Sequence, residues 1–257
     1  MIKSKYKKGD VPSVHWKDIK KELVYVPIND NEEIDINMQK KISDKYLKIE
    51  KNKKILLEKE KFIKDINVSL LNNYQITYCK INELFKPTLG SGKYTKTECV
   101  KNKGNYPVYS GNTNGVFANI NEYNYDGEYL TWAKDGLAGY LMYHNEKFSI
   151  TNHRGILIPT EKCQNIDLQY IKLVLEPIFR RNIKGRLGLE GKNEYTTLSK
   201  DMINKIQEMI PIPIKENGEF DIDKQKEISN KILKINKIKE KILKEIDRLI
   251  KIELELI

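Results

Sequence analysis

The chain has 257 residues, with 46 Lys or Arg against 36 Asp or Glu, for a net charge of +10 that favours a polyanionic partner. Hydrophobic residues make up 39%, enough for one or two packed domains, and no apolar run approaches the roughly 20 residues that span a bilayer. No leader is recognisable, and Cys79, Cys99 and Cys163 form no CxxC, which argues against a disulfide framework or a zinc site; a cytoplasmic protein is expected.

Residues 1–25 are basic, then weakly amphipathic, and read as the tail of a domain whose body is absent. Residues 26–73 then open with Val26-Pro27-Ile28 and continue as a long helical pattern that the chain repeats at residues 211–257, from Ile212-Pro213-Ile214 onward. The copies align without a gap at a constant offset of 186. Pro27/Pro213, Asp35/Asp221, Gln39/Gln225, Ile42/Ile228, Ser43/Ser229 and Ile49/Ile235 are identical pairs. Asp35 and Asp221 are expected N-caps. Ile42, Ile49, Leu56, Ile63 and Leu70 recur every seven residues in the first copy, as do Ile228, Ile235, Ile242, Leu249 and Leu256 in the second. Such a series is a coiled-coil seam, and two helices of roughly 50 Å flanking one domain pair most simply antiparallel. The lysines off the seam suit either a solvated face or a surface for an acidic partner.

Between the copies, residues 74–210 lose the heptads and gain Gly, Tyr, Thr and Asn. Short β-prone runs at 106–109, 116–120, 128–132, 139–143 and 155–159 alternate with turns such as Ser110-Gly111-Asn112 and Asp135-Gly136. Residues 167–179 read as a helix interrupted or ended at Pro177, residues 182–195 as a Gly-rich basic loop, and residues 199–210 as a short helix. The expected class is α+β: one domain with a twisted, mostly antiparallel sheet, flanked by the two long helices.

No catalytic set assembles. The glycines match neither a P-loop nor GxGxxG, and no methyltransferase motif is present. Glu190-Gly191-Lys192 with Asp167 upstream has the spacing of a metal-dependent nuclease but lacks its Pro-Asp strand, and His144 and His153 are too isolated for a metal site. Nucleic-acid chemistry does accumulate, on loops carrying Lys93, Thr95, Lys96, Ser110, Asn112, Thr113, Asn114, Lys134, Asn152, His153, Arg154, Lys184, Arg186, Lys192 and Asn193. Lys, Arg, Ser and Thr bind phosphates, and Asn, Arg and His read base edges. Tyr94, Trp132, Tyr140 and Tyr195 are available to stack or pack.

Three stretches resemble the specificity subunits of type I restriction-modification enzymes. They are the YPVYSGN run at 106–112 followed by Asn114-Gly115, the strands at 129–139 and 148–155, and Leu198-Ser199 through Ile210-Pro211-Ile212-Pro213 with Gln225 and Ile228 downstream. The resemblance implies a target-recognition domain at 74–210 between coiled-coil helices, with residues 1–25 a remnant of another such domain. With one domain instead of the family's two, the chain resembles a half-size subunit. It implies a non-catalytic reader of double-stranded DNA that positions methyltransferase (M) and restriction (R) subunits on a bipartite target. It further implies a homodimer or pairing with another half subunit. No cofactor is expected in this chain; S-adenosylmethionine and ATP with Mg belong to the partner subunits. The competing readings are a scaffold or inhibitor occupying the same slot without reading DNA, and a stand-alone nuclease.

Overall fold

A computed structural model describes residues 20, 23–65, 74–111, 115–187 and 195–251. Leu70, Leu256, Asn112, Thr113, Asn114, Glu190, Lys192 and Asn193 lie outside these, as does nearly all of the 1–25 segment. The chain divides into two compact units, Met1–Ile66 with Lys239–Ile257, and Asn67–Ile238.

The larger unit is built on a six-stranded sheet. In chain order its elements are β1 (Ile76–Cys79), α2 (Ile81–Leu84), β2 (Phe85–Leu89), α3 (Lys96–Lys101), β3 (Lys103–Tyr109), β4 (Ala118–Ile120), β5 (Tyr125–Ala133), β6 (Asp135–Gly136), β7 (Leu141–Ile150) and β8 (Arg154–Pro159), with α1 preceding them in the smaller unit. There follow α4 (Leu168–Arg181), β9 (Lys184–Arg186), β10 (Tyr195–Thr197), α5 (Lys200–Asn204), β11 (Ile210–Pro213) and the start of α6 (Ile222–Ile250). The large sheet has the order β2-β8-β5-β7-β3-β4, antiparallel except where β3 lies parallel to β7. Two small sheets, β1-β11 and β6-β10-β9, complete the unit.

The period-2 alternation along β5, β7 and β8 sends their side chains into two cores. Leu130, Trp132, Leu141 and Leu157 pack with Tyr170, Ile171, Leu175 and Phe179 of α4, with Ile210 and Ile212 of β11, and with Ile228 of α6. On the opposite face Phe148, Ile150 and Ile156 gather Tyr109, Tyr125 and Tyr129. Gly155 is required by this packing, because a Cβ there would lie 2.1 Å from the Trp132 ring. Asp167 caps α4 by accepting from the amides of Gln169 and Tyr170. Contrary to expectation, Pro177 does not end that helix. It is exposed, while Ile178 and Phe179 beyond it are buried and Arg180 donates to the Ala138 carbonyl, so the last turn is held by the core. Pro costs a helix one backbone bond, which such burial outweighs. The helix expected at 199–210 is shortened to α5, capped by Ser199, because residues 210–213 are drawn into β11 against β1.

The internal repeat is a repeat of geometry. In the second copy Ile214 bridges Phe220, the Asp221 amide donates to the Pro213 carbonyl at 2.9 Å, and Asp221 Oδ1 accepts from Lys224 N at 3.0 Å to start α6. In the first, Ile28 bridges Ile34, Asp35 N donates to Pro27 O at 2.9 Å, and Asp35 Oδ1 accepts from Met38 N at 2.8 Å to start α1 (Ile36–Asp65). Even the left-handed residue recurs: Gly218 has φ +83 and its counterpart Glu32 φ +61.

Along α1 the partly covered positions are Gln39, Ile42, Tyr46, Ile49, Lys53, Leu56, Glu60 and Ile63, alternating steps of three and four, and four of the expected seam residues fall on them. Along α6 the stripe starts as expected with Ile228 and Ile235 but departs later. Ile242 and Leu249 are 41% and 40% exposed, and Leu243, Ile246 and Ile250 take the covered side. The reason is rotational. A helix of 3.6 residues per turn falls behind a strict seven-residue series by about 20° per heptad, until the neighbouring residue is the better-placed one. The covered positions 228, 232, 235, 239, 243, 246 and 250 therefore follow an eleven-residue period.

Candidate nucleic-acid interface

The loops of the larger unit rest on a buried polar hub. Arg154, at the start of β8, is 1% exposed. Its Nε donates to the Ser110 carbonyl at 2.6 Å and its Nη1 to Thr131 Oγ1 at 2.9 Å. Burial pulls its pKa down to about 10, so it stays charged at neutral pH. Thr131 Oγ1 also meets His144 Nε2 at 2.8 Å, and the His144 ring stacks on Phe148 with centroids 4.2 Å apart. Burial, then the Arg154 charge, pushes His144 down to about 3, so its 3.5 Å approach to Glu146 is that of a neutral imidazole. Glu146 instead accepts from the Tyr109 hydroxyl at 2.7 Å. Arg154 was expected to face DNA; its guanidinium is instead enclosed, tying the end of β3 to β5 and β8, and it is withdrawn from the reading surface.

Around this hub the turns are bonded to one another. Ser110 Oγ lies 2.9 Å from Thr151 Oγ1, and Lys134 N donates to the His153 carbonyl at 3.0 Å. Asp135 is the shared anchor: its carboxylate meets His153 Nδ1 at 3.1 Å, Lys134 Nζ at 3.2 Å and the Thr197 hydroxyl at 3.1 Å. Burial alone would raise the Asp135 pKa, but the bonds from His153, Lys134 and Thr197 win and hold it below the usual carboxylate range. The β6-β10-β9 sheet then sets Thr197 opposite Lys184 and Tyr195 opposite Arg186, whose guanidinium lies 5.3 Å from the Tyr195 ring centre. Gly185, at φ +118, lets β9 approach Tyr195 O where a Cβ would lie at 2.3 Å.

The structure thus brings together Ser110, Lys134, Asn152, His153, Lys184 and Arg186, of which Asn152, His153, Lys184 and Arg186 are exposed. Lys93, Thr95 and Lys96 follow a turn bonded to the same β7–β8 connection, through Gly90 N to Arg154 O and Ser91 N to Ile150 O, each 3.0 Å. Within that group Thr95 caps α3 and Lys93 pairs with Glu122 at 2.6 Å, leaving Lys96 on the exposed first turn of the helix. Of the four aromatics singled out, Trp132 and Tyr94 are core residues, Tyr140 lies under Arg180, and Tyr195 is exposed.

Asp135, Thr131, His144 and Tyr109 were not singled out as a group. In the sequence Asp135 looks like an ordinary Asp-Gly turn, and nothing local distinguishes an anchor from a turn residue. Asp167, weighed as part of a nuclease centre, caps α4 and accepts from the Ser229 hydroxyl at 3.0 Å. Among the described residues no group of three His, Cys, Asp or Glu is placed to hold a metal ion, and no helix is long and apolar enough to cross a membrane.

A sheet domain with bonded turns bearing amide and cationic side chains, mounted on a long capped helix, is an architecture suited to holding a polyanion. The chain belongs to the type I restriction modification DNA specificity domain family, which it matches over residues 74–248. A putative type I specificity subunit of Mycoplasma pneumoniae, S.MpnORF507P, is 37% identical over 123 residues, covering 46% of this chain and 33% of the relative. The type I restriction enzyme MpnII specificity subunit of the same organism is 34% identical over 101 residues, covering 38% of this chain and 31% of the relative. These matches therefore cover about a third of each relative's length. The HsdS subunit from Thermoanaerobacter tengcongensis has a similar fold, with TM-score 0.51 at 13% identity over 97% of this chain and 63% of that one. A chain solved in a study of type I R-M complex assembly and conformational transition gives 0.55 at 13% identity, over 94% and 62%.

Proposed function

We propose that this chain is a non-catalytic, sequence-specific DNA-recognition subunit that positions methyltransferase and restriction subunits on a bipartite target. The observation that carries the reading is the set of turns bonded around Asp135, which displays Asn152, His153, Lys184 and Arg186 in a chain of this family. Lys184 and Lys96 suit phosphates, and Arg186, Asn152 and His153 suit base edges. Asn112, Thr113, Asn114, Lys192 and Asn193 are assigned to the same surface from sequence. S-adenosylmethionine and ATP with Mg belong, on this reading, to the partner subunits.

α1 and α6 are read as an antiparallel coiled coil. Their covered stripes support this, as do the grouping of 239–257 with 1–66 and a Lys239 Nζ to Lys64 O contact of 3.4 Å. Two copies, or one copy with a different half subunit, would then read two half-sites; identical copies imply a palindromic target with a fixed gap. Co-expression with a type I methyltransferase subunit, followed by mapping of methylated sites, tests the proposal. A single bipartite motif that disappears without this chain supports it, and methylation unchanged by the chain refutes it.

A further inference from the structure

We infer that the first repeat carries a second seat for a recognition domain, formed by residues 24–27 and the first turns of α1, and that its occupant is another domain of the kind formed by residues 74–209. The occupied copy shows what such a seat does. β11 pairs antiparallel with β1, burying Ile210 and Ile212 completely. Gln225 of α6, 0% exposed, accepts from Asp167 N at 2.9 Å and donates to Asn165 O at 3.1 Å, while Ser229 donates to the Asp167 carboxylate. Ile228 completes the core. The helix therefore grips the domain by the N-terminus of α4.

Each gripping residue recurs at the offset of 186: Gln39, Ile42 and Ser43 are identical to Gln225, Ile228 and Ser229, and Val24 and Val26 stand for Ile210 and Ile212. The start of the helix is the same to within a few tenths of an ångström in its capping bonds. What differs is cover. Val24 is 77% and Val26 47% exposed, Tyr25 between them is 90% exposed, and Ser43 is exposed where Ser229 is 3%. Residues 23–27 form no strand. A solvated turn has no use for a Val-Tyr-Val run followed by the Gln and Ser that bond an incoming helix. A strand added antiparallel to 24–27 would satisfy the backbone there and bury the valines. Glu227, which accepts from Tyr74, has Lys41 as its counterpart, so the occupant differs from residues 74–209 at the position of Tyr74.

The inference extends the proposed reading by locating a second recognition domain, and its test involves no DNA, so the two can fail separately. The probe is the chain with residues 1–23 replaced by a second copy of residues 74–209, joined to Val24 as Met209 joins Ile210, and carrying Glu at position 41. Hydrogen exchange should show the added domain as protected as the original. Gln39→Ala with Ser43→Ala should then raise exchange on the order of tenfold in the added domain alone, and Gln225→Ala with Ser229→Ala in the original alone. An added domain that exchanges like unfolded chain, or that is indifferent to Gln39 and Ser43, overturns the inference.

Discussion

Replacing Arg154 with alanine separates a residue that holds the interface from one that touches DNA. The substitution removes bonds to Ser110 O and Thr131 Oγ1 from a side chain only 1% exposed. Leaving the Ser110 carbonyl short of a donor costs about 1–3 kcal/mol. Thr131 keeps His144, so its loss is smaller, on the order of 1 kcal/mol. The vacated volume adds roughly 2 kcal/mol, and the charge's own desolvation cost is recovered in part. The net is about 3 kcal/mol, or roughly 6–12 °C in Tm for a unit of this size. Arg154→Lys should also destabilise, since one ammonium on a flexible stem does not reproduce the planar fork. Calorimetry gives the stability, and titration with the target duplex gives affinity per folded molecule. A stable Arg154→Ala protein that has lost its target preference would refute the burial argument and restore Arg154 to the reading surface.

Arg186→Ala should do the opposite, changing stability by less than about 0.5 kcal/mol while costing about 1–3 kcal/mol of binding if Arg186 reads a guanine bidentately. Binding should weaken steeply with salt as phosphate neutralisation releases counterions; a slope of log K on log salt near zero would contradict the interface. His144, held at about 3 when folded against about 6.5 when unfolded, contributes stability that is complete above pH 6.5 and lost as pH falls towards 3. The His144→Gln protein should therefore show a stability slope between pH 6 and 4 flatter by up to about 1.4 kcal/mol per unit, read by denaturant titration. Glu32→Gly, which places in the first repeat the residue that the second has at φ +83, should stabilise the smaller unit by about 1 kcal/mol; no gain in Tm would argue against strain at Glu32.

The repeat, the caps at Asp35 and Asp221 and most strands of the sheet were legible because each rests on local signals: a capping carboxylate, a turn glycine, an alternating run. The short strands were not. β1 and β11 pair residues more than 130 positions apart, and β2 contains Pro87, which reads as a break until it is seen facing β8 at the sheet edge. The loop residues of the candidate interface were recognisable as a class but not by role. Arg154 and Arg186 look alike in sequence, each beside a glycine in a polar stretch, and only β8's position between β2 and β5 encloses one of them. The outer half of the α6 stripe was misplaced for another reason, since Ile, Leu and Ile at 242, 243 and 246 satisfy two periods at once.

A guanidinium whose bonds end on the carbonyl of Ser110 makes that turn an extension of the interior. Retargeting by exchange of exposed side chains would leave the spacing between the turns unchanged, so new chemistry would have to fit the old geometry. Altering the reach of the surface instead calls for changes at Thr131, His144 or Arg154, positions that no contact map with a bound duplex would single out.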